Sequence, residues 1–299
     1  MSAIEQSRFL RELHWCLFSP DIFSGKALPM LDATWIQQGF EEVKEEALTG
    51  NDLPEFSSRL GVYFEDILEV FLSNHPEVTN LKRGMQIRNG QRTIGEADFL
   101  FFEEGQSRWI HLEVAVKFYL CNPSNSTIFP GLSQFLGPGA KDRLERKYKH
   151  LLHHQLKLLT QARDSDPKLA YLRPLESKAL VKGILFYPLG KPGAVCQDHL
   201  PEELSSDHCR GWWARNSQIN QNSVSASRFL ELNRSHWLGL ANPGEDTDLL
   251  DRREFLERCE EHFKRLQNPL MFACLEKSNG VWLESQRAMI VSETWPQLE

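Results

Sequence analysis

Between Ser57 and Ser73 the apolar residues Leu60, Phe64, Ile67, Leu68, Phe71 and Leu72 fall three and four apart, which predicts a helix with one buried face. Ser57 or Ser58 stands where a cap is expected, and Pro76 follows just beyond the end. Upstream, Leu10, Leu13 and Leu17 recur at helical spacing before Pro20, and a second run extends from Ala33 to Leu48, so the chain opens as helix, loop, helix. The period then changes. Residues 82–88 alternate, Asn89-Gly90 is a strong hairpin signal, and Thr93 to Phe102 reads as the next strand. A turn over Glu103 to Ser107 leads to a third strand, Trp109 to Leu120. The Pro- and Gly-rich stretch 121–140 reads as loop, Lys141 to Arg163 as one long helix, and Ala179 to Tyr187 as a buried strand. Residues 190–227 read as irregular, with Trp212-Trp213 inside them. Helix returns at 249–266, and strands at 270–276 and 281–292 join through Ser278-Asn279-Gly280. The expected architecture is α/β: an α-β-β-β-α-β core with a mixed sheet, N-terminal helices, and a C-terminal strand and helix extension. No linker divides the chain, so residues 1–299 read as a single domain.

Charged residues interrupt this pattern where a strand should carry apolar ones. Glu96 and Asp98 are two apart and share a face, as do Glu113 and Lys117 in the following strand. If the turn places Phe102 opposite Trp109, the register sets Asp98 opposite Glu113, with Cβ atoms about 4.5–5.5 Å apart. Carboxylates that close repel unless a positive charge lies between them, and a hard divalent cation such as Mg²⁺ suits an oxygen-only pair. The pattern alone also fits a solvated ladder of charged pairs on an edge strand. Two helical positions favour a site. Glu65 lies beside the apolar stripe of its helix, and Gln155 lies within the stripe of the long helix, between Leu151 and Leu158. A buried amide there needs a partner on the sheet, or costs roughly 1–3 kcal/mol.

The order helix with Glu65, strand with Asp98, strand with Glu113 and Lys117, helix with Gln155 resembles the PD-(D/E)XK nuclease superfamily, whose core is restriction-endonuclease-like. The stretches Gly61-Val62-Tyr63-Phe64-Glu65, Gly95-Glu96-Ala97-Asp98-Phe99, His111 to Leu120 and Phe135-Leu136-Gly137-Pro138-Gly139 resemble a bacterial family placed in that superfamily, domain of unknown function 1853. That likeness covers most of the chain, and the nuclease core motif about residues 57–187. The resemblance implies a centre in which Asp98, Glu113 and the backbone carbonyl of Val114 hold Mg²⁺ or Mn²⁺. Lys117 would orient or deprotonate the attacking water, Glu65 would assist through a second metal or a water, and Gln155 would position the site. It implies hydrolysis of phosphodiester bonds in DNA or RNA. The alternative is an inactive nuclease-like scaffold that binds nucleic acid or a protein partner. The chain departs from the pattern twice. Ala97 stands where proline is usual, and Ala115 stands two residues after the glutamate, where lysine is usual; Lys117 is four residues on, about 6.5–7 Å further along the strand.

Charge and composition refine this picture. The chain carries 34 basic and 41 acidic residues, net −7, which argues against general coating of nucleic acid. Locally, Lys141, Arg143, Arg146, Lys147, Lys149 and Lys157 stand against only Asp142 and Glu145, with His150, His153 and His154 among them, and Lys82, Arg83, Arg88 and Arg92 precede the Asp98 strand. These basic elements could draw in a phosphate backbone, although a solvated helix face carries the same pattern. His150 and His154 have a zinc-compatible spacing, but His-Glu-x-x-His is absent, as is a phosphate-binding Gly loop. Trp212-Trp213, Trp282 and Trp295 read as core or interface residues. The six cysteines show no zinc-knuckle spacing and read as reduced thiols. There is no apolar run of membrane-spanning length and no secretory signal, so a cytoplasmic protein is expected, with its oligomeric state open and a homodimer among the options.

Overall fold

The computed structural model describes residues 3–49, 53–56, 59–89, 92–123, 131–190, 200–220, 222–244 and 247–296. Helices α1 (Ala3–Phe18), α2 (Ala33–Thr49) and α3 (Leu60–Asn74) precede strands β1 (Val78–Asn89), β2 (Arg92–Glu103) and β3 (Arg108–Cys121). A two-residue strand β4 (Phe135–Leu136), helices α4 (Leu144–His153) and α5 (Leu158–Ser165), and strand β5 (Leu175–Pro188) come next. The chain ends with β6 (Cys209–Arg215), β7 (Arg228–Leu232), α6 (Arg252–Phe263), β8 (Leu270–Ser278) and β9 (Val281–Val291). The architecture is mixed α/β, and from α3 to β5 it follows the expected order of helix, three strands, helix and strand, with β4 inserted. The cap residues Ser57 and Ser58, Gly90 of the hairpin turn and Cys196 lie outside the described residues. Among the described residues no helix is long and apolar enough to cross a membrane, and Cys16, Cys121, Cys209, Cys259 and Cys274 form no disulfide.

The chain forms two compact units, Met1–Val116 with Lys147–Lys182, and Lys117–Arg146 with Gly183–Glu299. The sequence reading treated 1–299 as one domain. The three divisions fall inside β3, α4 and β5, so no linker marks them.

In the first unit the strand order is β1-β2-β3-β5. β1 and β2 pair antiparallel down to Asn89 opposite Arg92, and β2 pairs antiparallel with β3. Helix α3 buries Phe64, Ile67, Leu68, Phe71 and Leu72 of the predicted face, and Tyr63 as well, while Leu60 at its first turn is only half-buried. Trp35 of α2 stacks on Phe101 of β2 at 5.7 Å and meets the edge of Phe71 at 5.9 Å. Leu158, Leu159 and Ala162 of α5 share a cluster with Ile87, Ala97 and Leu100. The long helix expected over 141–163 is broken. Leu136 bridges to Arg143 before the helix starts, and His154 leaves helical geometry (φ −123°, ψ −67°), so a 3₁₀ turn over Gln155–Lys157 separates α4 from α5. Such a mid-helix 3₁₀ turn often accompanies a functional constraint.

In the second unit β5-β6-β9-β8-β7 lie side by side, the first two junctions parallel and the others antiparallel, while β4 pairs with the end of β3. Helix α6 starts at a capping box, Asp251 with Glu254, and sends Phe255 and Cys259 into a cluster with Trp212, Phe229 and Phe272. Trp212-Trp213, expected in an irregular stretch, are buried in β6. Their strand is short, and Arg210, Gly211 and Arg215 break up its few apolar residues, which hides the pattern. Gly211 is required there, since a Cβ would lie 2.6 Å from the carbonyl oxygen of Arg287 and 2.5 Å from the Phe186 ring. Strand β7 was also unpredicted, and its five residues are too few to show a period.

Candidate active site

β2 and β3 adopt the expected register, Phe102 opposite Trp109, and their backbone pairing runs to Phe99 opposite Leu112. Asp98 and Glu113 come one step further along. At this point a side chain replaces the backbone ladder, because Val114 N–H donates to Asp98 Oδ2 at 2.9 Å. In an extended strand the N–H and C=O of one residue face the same neighbour, so the Val114 carbonyl opens toward the Asp98 side as well.

Glu113 is fully buried and both of its oxygens are engaged. His111 Nε2 donates to Oε1 at 2.7 Å, and Gln155 Nε2 donates to Oε2. The amide predicted to need a partner on the sheet thus finds one, and the 3₁₀ turn aims it there. The ring of His111, also fully buried, has Ser177 Oγ 3.2 Å from Nδ1. The neutral tautomer with its proton on Nε2 donates to Glu113 and accepts from Ser177, which satisfies every member. On the other side Lys147 Nζ donates to Gln155 Oε1 at 3.1 Å. Ser177, His111, Glu113, Gln155 and Lys147 form one continuous chain of hydrogen bonds.

Asp98 is half-buried. Burial first, and then the charge of Glu113, push its carboxyl up to about 7, with Glu65 adding to the rise; the Val114 N–H and the Lys147 ammonium oppose it. Glu65 itself is pushed up, mainly by burial, although Arg83 holds it at 3.2 Å. Arg83 also pairs with Asp66 at 2.6 Å and Glu69 at 2.7 Å. Three carboxylates of α3 therefore occupy this guanidinium, which the sequence reading had offered to phosphate. Lys82 and Arg88 meet Tyr171 and Gln86.

Lys117 belongs to the second unit, where its ammonium pairs with Asp142 Oδ2 at 2.8 Å and Tyr119 donates to the same oxygen at 3.0 Å. Of the predicted residues, the structure thus brings together Asp98, Glu113, Val114 and Gln155, with Glu65 near enough to act on Asp98 by charge. It places Lys117 in a different ion pair. Sequence reasoning missed His111, Ser177 and Lys147. His111 carried a signal, since it lies two residues before Glu113 on the same strand face. Lys147 did not, being one of six basic residues in a stretch that reads as a solvated helix.

The donor set fits a hard cation. Asp98 Oδ1 accepts no hydrogen bond among the described residues. Each Glu113 oxygen keeps a lone pair beyond its one hydrogen bond, and the Val114 carbonyl supplies a third oxygen. Two carboxylates, one of them forced toward its neutral form by the other, are the arrangement that a divalent ion relieves. No three His, Cys, Asp or Glu side chains cluster for metal binding among the described residues. The set therefore relies on the carbonyl and on waters, as Mg²⁺ commonly does.

No curated protein and no solved structure matches this chain. A family model, domain of unknown function (DUF1853), matches residues 11–291, and the chain belongs to that family.

Proposed function

We propose that the chain is a metal-dependent phosphodiesterase that cuts DNA or RNA, built on a restriction-endonuclease-like core. The observation that carries this reading is the Asp98–Glu113 pair at the end of the β2–β3 ladder, with Val114 contributing its backbone beside it. Asp98, Glu113 and the Val114 carbonyl would hold Mg²⁺ or Mn²⁺. When bound, such an ion lowers the pKa of a water and screens charge on the phosphorane.

The chain's own residues do the rest. His111 and Gln155 fix the Glu113 carboxylate from both sides, so that it does not swing toward Asp98. The full burial of Glu113 strengthens its charge interaction with the half-buried Asp98. The positive group that favours ionised Asp98 is Lys147, on α4. We assign to Lys147 the ammonium role that the resemblance implied for Lys117, whose own charge Asp142 takes up. Lys147 would steady the attacking water or the charge that develops on the phosphate oxygens.

The Lys117–Asp142 pair favours the second reading, a scaffold that binds nucleic acid and has lost turnover. One assay separates the two. Purified wild type and Glu113→Gln are incubated with single- and double-stranded DNA and RNA, with Mg²⁺, Mn²⁺ or EDTA. Cleavage by wild type alone, and only with metal, supports the nuclease. Metal-independent binding with no cleaved product supports the scaffold.

A further inference from the structure

At the junction of α4 and α5 the His154 N–H donates to the His150 carbonyl at 3.0 Å, so the backbone keeps these two histidines one helical turn apart. Their rings lie 4.8 Å apart, centre to centre, with planes 13° from parallel. Both residues are exposed, and neither ring takes part in a hydrogen bond or ion pair among the described residues. Four imidazole nitrogens are thus left without a protein partner. Other histidines are spent: His75, His111, His208, His236 and His262 each engage a carbonyl or a side-chain atom through a ring nitrogen.

Paired imidazoles resist protonation as paired carboxylates resist ionisation. Partial burial first, then His154, then Lys147 hold the His150 ring below its usual value, while Glu113 opposes them. The neutral ring favoured near pH 7 is the form that binds metal. Two imidazoles on one Zn²⁺, each with Zn–N of about 2.0–2.1 Å, have ring centres roughly 4.5–5.2 Å apart. The separation in the structure falls inside that range. The stacked rings need only turn about their Cβ–Cγ bonds to aim one nitrogen each at a shared point, and only the stack itself holds them. Imidazole suits Zn²⁺, Ni²⁺ and Cu²⁺, whereas Mg²⁺ takes oxygen. No third His, Cys, Asp or Glu joins the pair among the described residues, so water would fill the other positions.

We infer that His150 and His154 form an open binding site for a borderline divalent ion of the Zn²⁺, Ni²⁺ or Cu²⁺ class. The inference does not rest on the Asp98–Glu113 reading.

The test is calorimetric titration of Zn²⁺ into the full chain in about 10 mM Mg²⁺, which fills an oxygen site but competes poorly for imidazole. Saturable binding with a Kd below about 1 mM is expected. His150→Ala and His154→Ala should each weaken it by about tenfold or more. The melting temperature should not change, because both positions are exposed. His153→Ala, exposed beside them but outside the pair, should leave the affinity unmoved. NMR of the ring nitrogens should show His150 and His154 shifting with Zn²⁺ and not with Mg²⁺. No saturable binding, affinity unmoved in both single variants, or an equal loss in His153→Ala would overturn the inference. Cleavage activity does not enter any of these outcomes.

Discussion

Asp98 takes a hydrogen bond from the backbone of Val114 one step beyond the last paired residues of β2 and β3. A carboxylate that replaces a ladder partner is held by a neutral donor and repelled by Glu113, so it is anchored in place yet kept short of positive charge. That combination underlies the first prediction.

With Asp98 raised to about 7, the folded protein holds a proton there that the unfolded chain releases near pH 4. The native state therefore binds more protons between those values, and this contribution to stability falls as pH rises from about 4 to 7. Asp98→Asn removes the titration. Without metal, the melting temperature of the variant minus that of wild type should increase between pH 5 and pH 8. The variant should also lose Mg²⁺ binding by calorimetry. A constant difference across that range would show that Asp98 titrates normally.

Gln155→Leu keeps the size of the side chain while removing the donor to the buried Glu113. The expected cost is about 1–3 kcal/mol in denaturant unfolding. His111→Phe should cost a similar amount, and the two should not be additive, since both act on one carboxylate. Additive effects would mean that Glu113 does not link them.

Lys147→Ala should leave Mg²⁺ affinity within a few-fold and reduce turnover by about 10² or more on whichever nucleic acid the wild type cuts. Lys117→Ala should leave turnover nearly intact while destabilising the fold slightly through Asp142. The reverse pattern in single-turnover rates would return the ammonium role to β3.

His208 is a pH gauge for the second unit. Its buried ring meets Tyr187 OH at Nε2 (2.8 Å) and the Ser205 carbonyl at Nδ1, and burial pushes it down to about 4. The unfolded chain takes up a proton near 6.5, so this contribution to stability is present above 6.5 and is lost as pH falls toward 4. His208→Gln should be less stable than wild type at pH 7.5, and the gap should narrow at pH 4.5. NMR should find the wild-type ring neutral at pH 5.5.

The register of the site was legible because a tight turn and a two-residue period together fix which residues face each other. Once Phe102 met Trp109, Asp98 and Glu113 followed. Gln155 was legible for a different reason, as an amide in an apolar stripe. What the sequence could not carry was the partner of each cation. Lys117 and Lys147 look alike as letters, and only the path of α4 and its broken junction with α5 sends one to Gln155 while the other meets Asp142. The same holds for β6 and β7, which are short and depend on neighbours distant in sequence rather than on their own pattern. The division into two units was hidden because it runs through the interiors of β3, α4 and β5 rather than through linkers.

Each unit is assembled from two separated stretches of chain, and this orders events during synthesis. Glu113 leaves the ribosome 42 residues before Gln155, the donor that satisfies it. At about 5–20 residues per second, that interval is about 2–8 s. Throughout it, the chain lacks both the Gln155 donor to Glu113 and the α5 residues that cover Ala97 and Leu100. The centre is therefore completed late, by a stretch of chain made after both of the strands that carry its carboxylates.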